Sequence, residues 1–262
     1  MILRRITDAF RRQDWFTVFI ETLIVVLGVF LGLQVNNWNE ARKDRIEAET
    51  SRERLIADLH ADLDAFAVRR QWYEEVQEAA LRVDDALRSE PPETVDQTWR
   101  FVLDSWIAGG EWPFAPSAQI YKELQNAGEL DLIASGSLHR RLRDYYEDSA
   151  NEIEISLTFK SAYGDLARQL IEGRVGMHIA DCLSAASFEP SLPGTNPTTF
   201  YKDCPRPEDF ALVTRSAASL RESAALRPKL NARLNDLSGL QSLLEYLDRQ
   251  AASLVSDLET AR

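Results

Sequence analysis

An apolar stretch close to the start of the chain, Trp15 to Leu33, most constrains what this sequence can fold into. The 21 residues from Trp15 to Val35 contain two main polar interruptions, Glu21 and Gln34. At about 1.5 Å per residue, a helix of this length is roughly 30 Å long, the thickness of a bilayer's hydrocarbon core. Its apolar side chains lie all round the helix, unlike the single stripe of a soluble surface helix. The sequence therefore predicts a transmembrane helix over residues 15–37.

The residues flanking this helix predict its orientation. Four arginines precede it, at positions 4, 5, 11 and 12, and positive charge beside a span is retained on the cytoplasmic side. We therefore expect residues 1–14 to be cytoplasmic and the chain after the span to be exported. No small-residue cleavage site follows the apolar run, so we expect an uncleaved anchor and no signal peptide.

One face of the predicted span carries Glu21, Gly28 and Gly32. Offsets of 7 and 11 residues place all three within roughly 40° of one another at about 100° per residue. A glycine pair four residues apart lets two helix backbones approach closely in lipid, and a carboxylate within the span favours a partner. These residues form a candidate association face. The alternatives are the ordinary glycine content of membrane helices and a Glu21 side chain that reaches the interface.

The charge of the exported part limits its partners. After residue 38 the chain carries 26 basic and 39 acidic side chains, which argues against binding nucleic acid or anionic lipid surfaces. Residues 38–54 are highly charged, with opposite charges at helical spacing such as Glu49 and Arg52. This pattern predicts a solvated helical stalk.

Residues 55–262 show helical periodicity and no convincing strand pattern. Apolar residues recur at steps of three and four, as in helices packed against other helices. The expected helices extend to about residue 89, then cover 94–107, 117–127, 137–172 and 207–226, and the last opens at Pro228. The predicted fold is all-α, an antiparallel helical bundle that follows the transmembrane helix and stalk.

Two cysteines, Cys182 and Cys204, lie in a stretch rich in proline, glycine and serine, residues 173–206. Because disulfides form in exported proteins, we expect a disulfide-tied loop. His178 lies four residues before Cys182, so these three residues could instead bind a metal. No fourth ligand is evident, and the sequence predicts neither a metal nor a cofactor.

Two groups of side chains are candidates for a ligand or partner surface. Trp112 and Phe114 belong to a loop rich in aromatic residues, which can line a pocket or form a small core. Arg140, Arg141 and Arg143 form a basic group that can receive an anion, or pair with nearby acidic residues. A turn between two helices precedes this basic group, as in a helix-turn-helix reader of DNA, but export and the acidic balance argue against that function.

The membrane segment resembles that of a widespread bacterial family of unknown function. Members carry a short basic N-terminus, an early acidic residue in the span and an exit through Asn-Trp-Asn-Glu, as in Ile20 to Glu40 here. The exported half is also similar, in the patterns Tyr121-x-x-Leu124-x-x-x-Gly128-x-Leu130-x-x-Ile133 and Leu138-x-x-x-Leu142-x-x-Tyr145-Tyr146. The resemblance implies a single-pass protein of the bacterial inner membrane with a periplasmic C-terminal domain. It implies no catalytic residue.

These features favour a non-enzymatic scaffold or accessory subunit of an envelope complex. Its partners would be the bilayer and either a membrane protein or a second copy, bound through the transmembrane helix. A periplasmic ligand-binding or sensing module that works through a membrane partner is the alternative. We expect no enzyme, since the sequence has three histidines and neither a Gly-x-Ser-x-Gly nor a His-Glu-x-x-His motif.

Overall fold

The computed structural model describes residues 15–112, 116–149, 161–187 and 204–260. Every regular element in these residues is helical and they contain no strand, which confirms the predicted all-α fold. The helices are α1 (Trp15–Arg88), α2 (Val95–Ala108), α3 (Gln119–Ala127), α4 (Leu130–Ile133), α5 (Ser137–Arg143), α6 (Ala162–Leu170), α7 (Gly173–Ser187), α8 (Phe210–Glu222) and α9 (Leu226–Thr260). A π-helical segment, Asp144–Ser149, follows α5 directly. The chain divides into two compact units, Met1–Glu53 and Arg54–Arg262.

The first unit contains the apolar part of α1. Between Phe19 and Val35 the large apolar side chains are 36–65% exposed. An 18-residue window here has a mean hydropathy of 1.9, and none of it is buried. By length and composition, α1 is therefore a helix that could cross a membrane. In the charged part, Arg52 and Glu49 form the predicted ion pair at 2.7 Å.

The core of the second unit draws on both long helices. Buried positions in α1 recur mostly at three- and four-residue steps, as expected for a helix that packs on one side. They include Leu55, Leu59, Phe66, Tyr73, Val76, Ala80 and Val83. The buried residues of α9 include Leu230, Leu237, Leu240, Leu244, Leu247, Leu254 and Leu258, which agrees with the apolar steps of three and four residues in the sequence. Burial of each such leucine contributes about 1.5–3 kcal/mol.

Helix α2 has a well-defined start and an unusually close contact at its end. Thr94 Oγ1 accepts the Gln97 amide N–H, and the Gln97 side chain accepts the Thr94 amide N–H, a capping box that satisfies two amides at the helix start. At the other end, Gly109 lies against Gly164 of α6. A Cβ on Gly164 would stand 2.6 Å from the Gly109 carbonyl oxygen. The two backbones therefore pack together only because both residues lack a side chain.

The last helix also stabilises the end of α2. Arg233 of α9 is 6% exposed, and its guanidinium donates hydrogen bonds to the carbonyl oxygens of Ala108 and Gly110. Carbonyls at a helix end have no partner within their own helix. A side chain 125 residues further along the chain supplies the donor for Ala108.

The predicted single helix from Ser137 to Glu172 is wrong. After the π-helical segment, a separate helix begins at Ala162, where Ser161 is the N-cap and its Oγ accepts the Gly164 amide N–H at 3.2 Å. This helix ends at Leu170, because the next residue has an extended backbone. The spacing of apolar residues is similar on both sides of a π-helical turn or of a serine that caps a new helix. The spacing alone therefore does not reveal where one helix ends and the next begins.

The predicted loop 173–206 is wrong over its first half. Residues Gly173–Ser187 form α7, and residues 188–203 lie outside the described part of the chain. The glycines suggested a loop, but Gly176 has a packing role: a Cβ there would stand 2.9 Å from the Trp106 ring. Tertiary contact thus explains a glycine that intrinsic helix propensity disfavours.

Candidate functional site

The predicted association face of the apolar helix is unobstructed within its own unit. A Cβ on Gly28 or on Gly32 would meet no atom within 4 Å, and Glu21 is exposed. All three positions are therefore accessible to a second helix. Their role in association stays a prediction.

The predicted basic surface is largely paired with acidic residues. Arg141 of α5 donates a hydrogen bond to Asp257 of α9, and Arg143 lies 3.4 Å from the carboxylate of Asp144. Arg140 is exposed. Pairing with an acidic group weakens the attraction of an arginine for an anionic ligand, and these pairs are those of a solvated helix face.

Trp112 packs against α1. Its amide N–H donates to the hydroxyl of Tyr73 at 3.2 Å, and the Arg69 guanidinium lies 4.6 Å from the centre of its ring, a cation–π contact. The Trp72 ring meets it edge-on at 5.9 Å. Burial lowers the pKa of Arg69 to about 10, against the opposing influence of Tyr73. Trp112 therefore belongs to a packed cluster, and Phe114 lies outside the described residues.

The two cysteines are brought together as predicted. The Sγ atoms of Cys182 and Cys204 lie at disulfide-bonding distance, with their Cα atoms 5.6 Å apart. His178 is one turn before Cys182 on α7, and Nε2 of its ring lies 4.0 Å from the Cys182 sulfur. One ligand atom from each of the three residues lies within 4.8 Å of the other two. The backbone of Cys204 is held separately, since its carbonyl oxygen accepts the Trp99 Nε1–H at 3.2 Å.

A buried carboxylate group on α1 was not predicted. Asp62 is 2% exposed and accepts hydrogen bonds from the Tyr145 hydroxyl at 2.9 Å and the Ser117 amide at 3.3 Å. Asp58, one turn earlier, accepts a hydrogen bond from the amide of Ile120. The two amides flank the start of α3, whose own N-cap residue makes no side-chain hydrogen bond. Two side chains of α1 therefore satisfy amides at the start of another helix.

The environment of Asp62 disfavours its ionised form. Burial raises its pKa to about 6, and the nearby Asp58 adds to the increase, whereas the two hydrogen bonds oppose it. Burial and the charge of Asp62 also raise the pKa of Tyr145. The neighbouring Tyr146 ring is 4% exposed, and its hydroxyl has no hydrogen-bond partner among the described residues. A carboxyl group that titrates near pH 6 thus lies in the core.

The position of Asp62 could have been found from the sequence. It follows Leu59 by three residues and precedes Phe66 by four, so it lies on the apolar stripe that both leucine and phenylalanine define. The adjacent apolar residue, Leu63, is only half-buried. An acidic residue at a buried position of a helix indicates that a hydrogen-bond partner lies nearby.

A second unpredicted group surrounds Asp104 of α2, whose side chain is 3% exposed. Arg82 of α1 donates two hydrogen bonds to it, at 2.9 and 3.0 Å, and Arg100 donates a third at 3.1 Å. These side chains line one wall of a cleft of about 470 Å³, which Phe101 and Arg221 also line. The cleft size is within the range of small-molecule sites.

The three histidines lie in different surroundings in the part of the chain described. His139 Nδ1 lies 2.7 Å from Asp131, but the two side chains are 37% and 79% exposed. His178 bonds the carbonyl oxygen of Pro205, and His60 is exposed.

The chain therefore presents an exposed apolar helix, a sulfur–imidazole cluster, a buried carboxylate group and an arginine-lined cleft. Comparison with protein-family models, with characterised proteins and with solved structures finds no match to the chain.

Proposed function

We propose that the protein is a non-enzymatic single-pass membrane protein, a scaffold or accessory subunit of an envelope complex. Residues 15–37 would anchor it and residues 55–262 would form the exported helical bundle. The observation that carries the proposal is the exposed apolar surface of α1, from Phe19 to Val35. Water disfavours such a surface, at about 25 cal/mol per Å² of apolar area, whereas a bilayer accommodates it in a helix whose backbone groups are all paired.

The proposed location is the bacterial inner membrane, with the N-terminus cytoplasmic and the bundle periplasmic. The arginines before the span support this orientation. The bacterial assignment depends on the resemblance of Ile20 to Glu40 to the uncharacterised family, and membership of that family is part of the proposal.

Extraction and fusion experiments test the anchor. The double variant Val25→Arg/Val29→Arg places two charges in the span, each costing about 2.5–3.5 kcal/mol at its centre. We expect the wild-type chain to stay in the membrane pellet after alkaline carbonate, and this variant to be released or degraded. The control Ile46→Arg/Thr50→Arg has the same spacing in the stalk and should stay in the pellet. Release of the wild type would contradict the proposal.

Reporter fusions test the orientation. Alkaline phosphatase fused after Arg262 should be active, because it folds only after export, and green fluorescent protein exported to the same place by the general secretory route should be dark. The reverse pattern would place the bundle in the cytoplasm and contradict the proposed topology.

The proposed association surface is the face of Glu21, Gly28 and Gly32. Cysteine introduced at Gly28 or Gly32 in native membranes should crosslink to a second helix, since neither position is covered within its unit. Cysteine at Phe30 is the control, because two residues correspond to about 200° around the helix. Equal adducts at Gly28 and Phe30, or none at all, would contradict the association face.

A ligand-binding module is the second candidate function, and the cleft beside Asp104 is the observation that favours it. Three guanidinium groups, of Arg82, Arg100 and Arg221, line the cleft together with Glu90 and Glu93, and arginine is well suited to carboxylates and phosphates. Because Arg82 and Arg100 already pair with Asp104 and Arg221 donates to the carbonyl oxygens of Ala86 and Ser89, an anionic ligand would have to share these donors. A panel of small carboxylates and phosphates should raise the unfolding temperature of the wild type and not that of Arg100→Gln. No shift with any of them would remove this candidate.

A further inference from the structure

The three residues His178, Cys182 and Cys204 have the chemistry of a metal site as well as that of a disulfide. Two cysteine sulfurs and one imidazole nitrogen are ligands that Zn²⁺ accepts, and a site with three protein ligands retains a fourth position for water. The ligand atoms already lie within 4.8 Å of one another. The proximity of these ligand atoms is a property of the fold and is independent of the function proposed above.

The distances require only a small rearrangement. Zn–S and Zn–N distances of about 2.3 and 2.1 Å in a tetrahedron place the ligand atoms roughly 3.5–3.8 Å apart. Nε2 of His178 is 4.0 Å from the sulfur of Cys182, close to that separation. The two sulfurs must move apart, which side-chain rotation permits because the Cα atoms are 5.6 Å apart.

Contacts other than the disulfide hold these residues in place. The Trp99 indole donates to the carbonyl oxygen of Cys204, and its ring meets the His178 ring edge-on at 5.9 Å. His178 Nε2 also bonds the carbonyl oxygen of Pro205 at 2.6 Å. Loss of the S–S bond would therefore leave the three side chains near one another. The Pro205 bond holds the ring only in the metal-free state, because Nε2 must give it up to bind a metal, whereas the contact between the Trp99 and His178 rings does not depend on it.

We propose that reduction of the Cys182–Cys204 disulfide converts this cluster into a Zn²⁺ site with His178 as the third ligand. A protein dithiol supplies two electrons and two protons, so that the S–S bond breaks, two thiols form and the dithiol becomes a disulfide. Zn²⁺ then binds both sulfurs as thiolates, and the two thiol protons are released to solvent. The oxidised form lacks thiolates and does not bind, so metal affinity reports the redox state of the pair.

Cobalt binding to the full-length chain in detergent tests this proposal. The chain is reduced with a phosphine, freed of reductant under argon and titrated with Co²⁺. We expect one Co²⁺ per chain, with the thiolate charge-transfer absorption and the d–d bands of a tetrahedral site, and loss of both bands when Zn²⁺ is added. The oxidised chain should show neither band.

Matched variants separate this site from other histidines. Cys204→Ser should abolish the charge-transfer band, and His178→Gln should weaken Co²⁺ binding more than about 100-fold, the upper effect of altering a residue that only supports a ligand. His139→Gln is the control, since His139 is a partly exposed histidine paired with Asp131, and it should bind as the wild type does. Circular dichroism of each variant records whether the helices are retained.

Three results would overturn the proposal. The first is a reduced wild-type chain without a charge-transfer band, whether or not its helices persist. The second is equal binding by the oxidised and reduced chains. The third is a His178→Gln variant that folds and binds Co²⁺ with wild-type affinity, which would leave the histidine outside the site.

Discussion

The buried carboxyl group of Asp62 makes the stability of the protein depend on pH. Its described hydrogen-bond partners, Tyr145 and Ser117, are neutral, and its carboxylate neighbour Asp58 repels its charge. The folded state therefore holds the proton more tightly than the unfolded chain does. We predict that Asp62→Asn, which keeps the shape and an acceptor oxygen but removes the charge, abolishes most of this dependence.

The magnitude follows from the pKa. A value of about 6 in the folded chain, against 3.8 as the reference, corresponds to about 3 kcal/mol at roughly 1.4 kcal/mol per tenfold change in proton affinity. Because the folded pKa is the higher one, the stabilisation is fully present below about pH 3.8. It is lost as the pH rises through 6. Water screens this electrostatic effect little, because Asp62 is 2% exposed.

Urea unfolding of the detergent-solubilised chain, followed by tryptophan fluorescence between pH 4.5 and 8, measures this effect. The difference in the free energy of unfolding between Asp62→Asn and the wild type should shift by about 2 kcal/mol in favour of the variant across this range, because about 1 kcal/mol of the full effect is already lost at its acid end. Asp64→Asn is the control, because Asp64 is exposed two residues away. A constant difference across this range, or an equal shift in the control, would refute the reasoning.

Three further predictions concern packing, charge and the cysteines, and all are measured by urea unfolding near neutral pH. Gly164→Ala should destabilise the protein by about 1–3 kcal/mol, because the new Cβ meets the Gly109 backbone. Gly239→Ala is the control: its Cβ would lie in open space, and it should stabilise the protein by about 0.5–1 kcal/mol. Equal effects of the two substitutions would contradict the close packing. Asp104→Ala should lower the free energy of unfolding by about 1–3 kcal/mol. Three charge-assisted hydrogen bonds are lost, but Arg82 and Arg100 are both 40% exposed and bind water instead. No change in stability would contradict a stabilising role of these hydrogen bonds. Cys182→Ser/Cys204→Ser should cost the oxidised protein about 3 kcal/mol in the chain-entropy model, and no loss would indicate that the pair does not constrain the unfolded chain.

Periodicity in the sequence predicted the elements that bury a continuous apolar stripe. The end of α1 near Ser89 and the leucine seam of α9 could be located because three- and four-residue steps mark one face of a helix. The helix after Thr94 and the glycine stop at Gly128 follow from local capping chemistry, which is also visible in sequence.

Features that depend on contacts between distant residues could not be predicted in this way. The contact of Gly109 with Gly164 involves no side chain and leaves no hydrophobic pattern. In the sequence Gly176 suggests the end of a helix, whereas in the structure it lies within a helix because the Trp106 ring packs against it. The sequence left open whether Arg141 receives an anion or pairs with an acidic residue, because its partner Asp257 lies 116 residues further along the chain.

The hydrogen bonds of Arg233 constrain the order in which the chain can complete its fold. Ala108 and Gly110 leave the ribosome more than a hundred residues before the guanidinium that binds their carbonyl oxygens. Until α9 has been synthesised, the end of α2 must be hydrated or held by another protein. The second unit of the nascent chain therefore reaches its final packing only after its last helix emerges, and truncations within α9 should leave an incompletely folded chain rather than a smaller stable one.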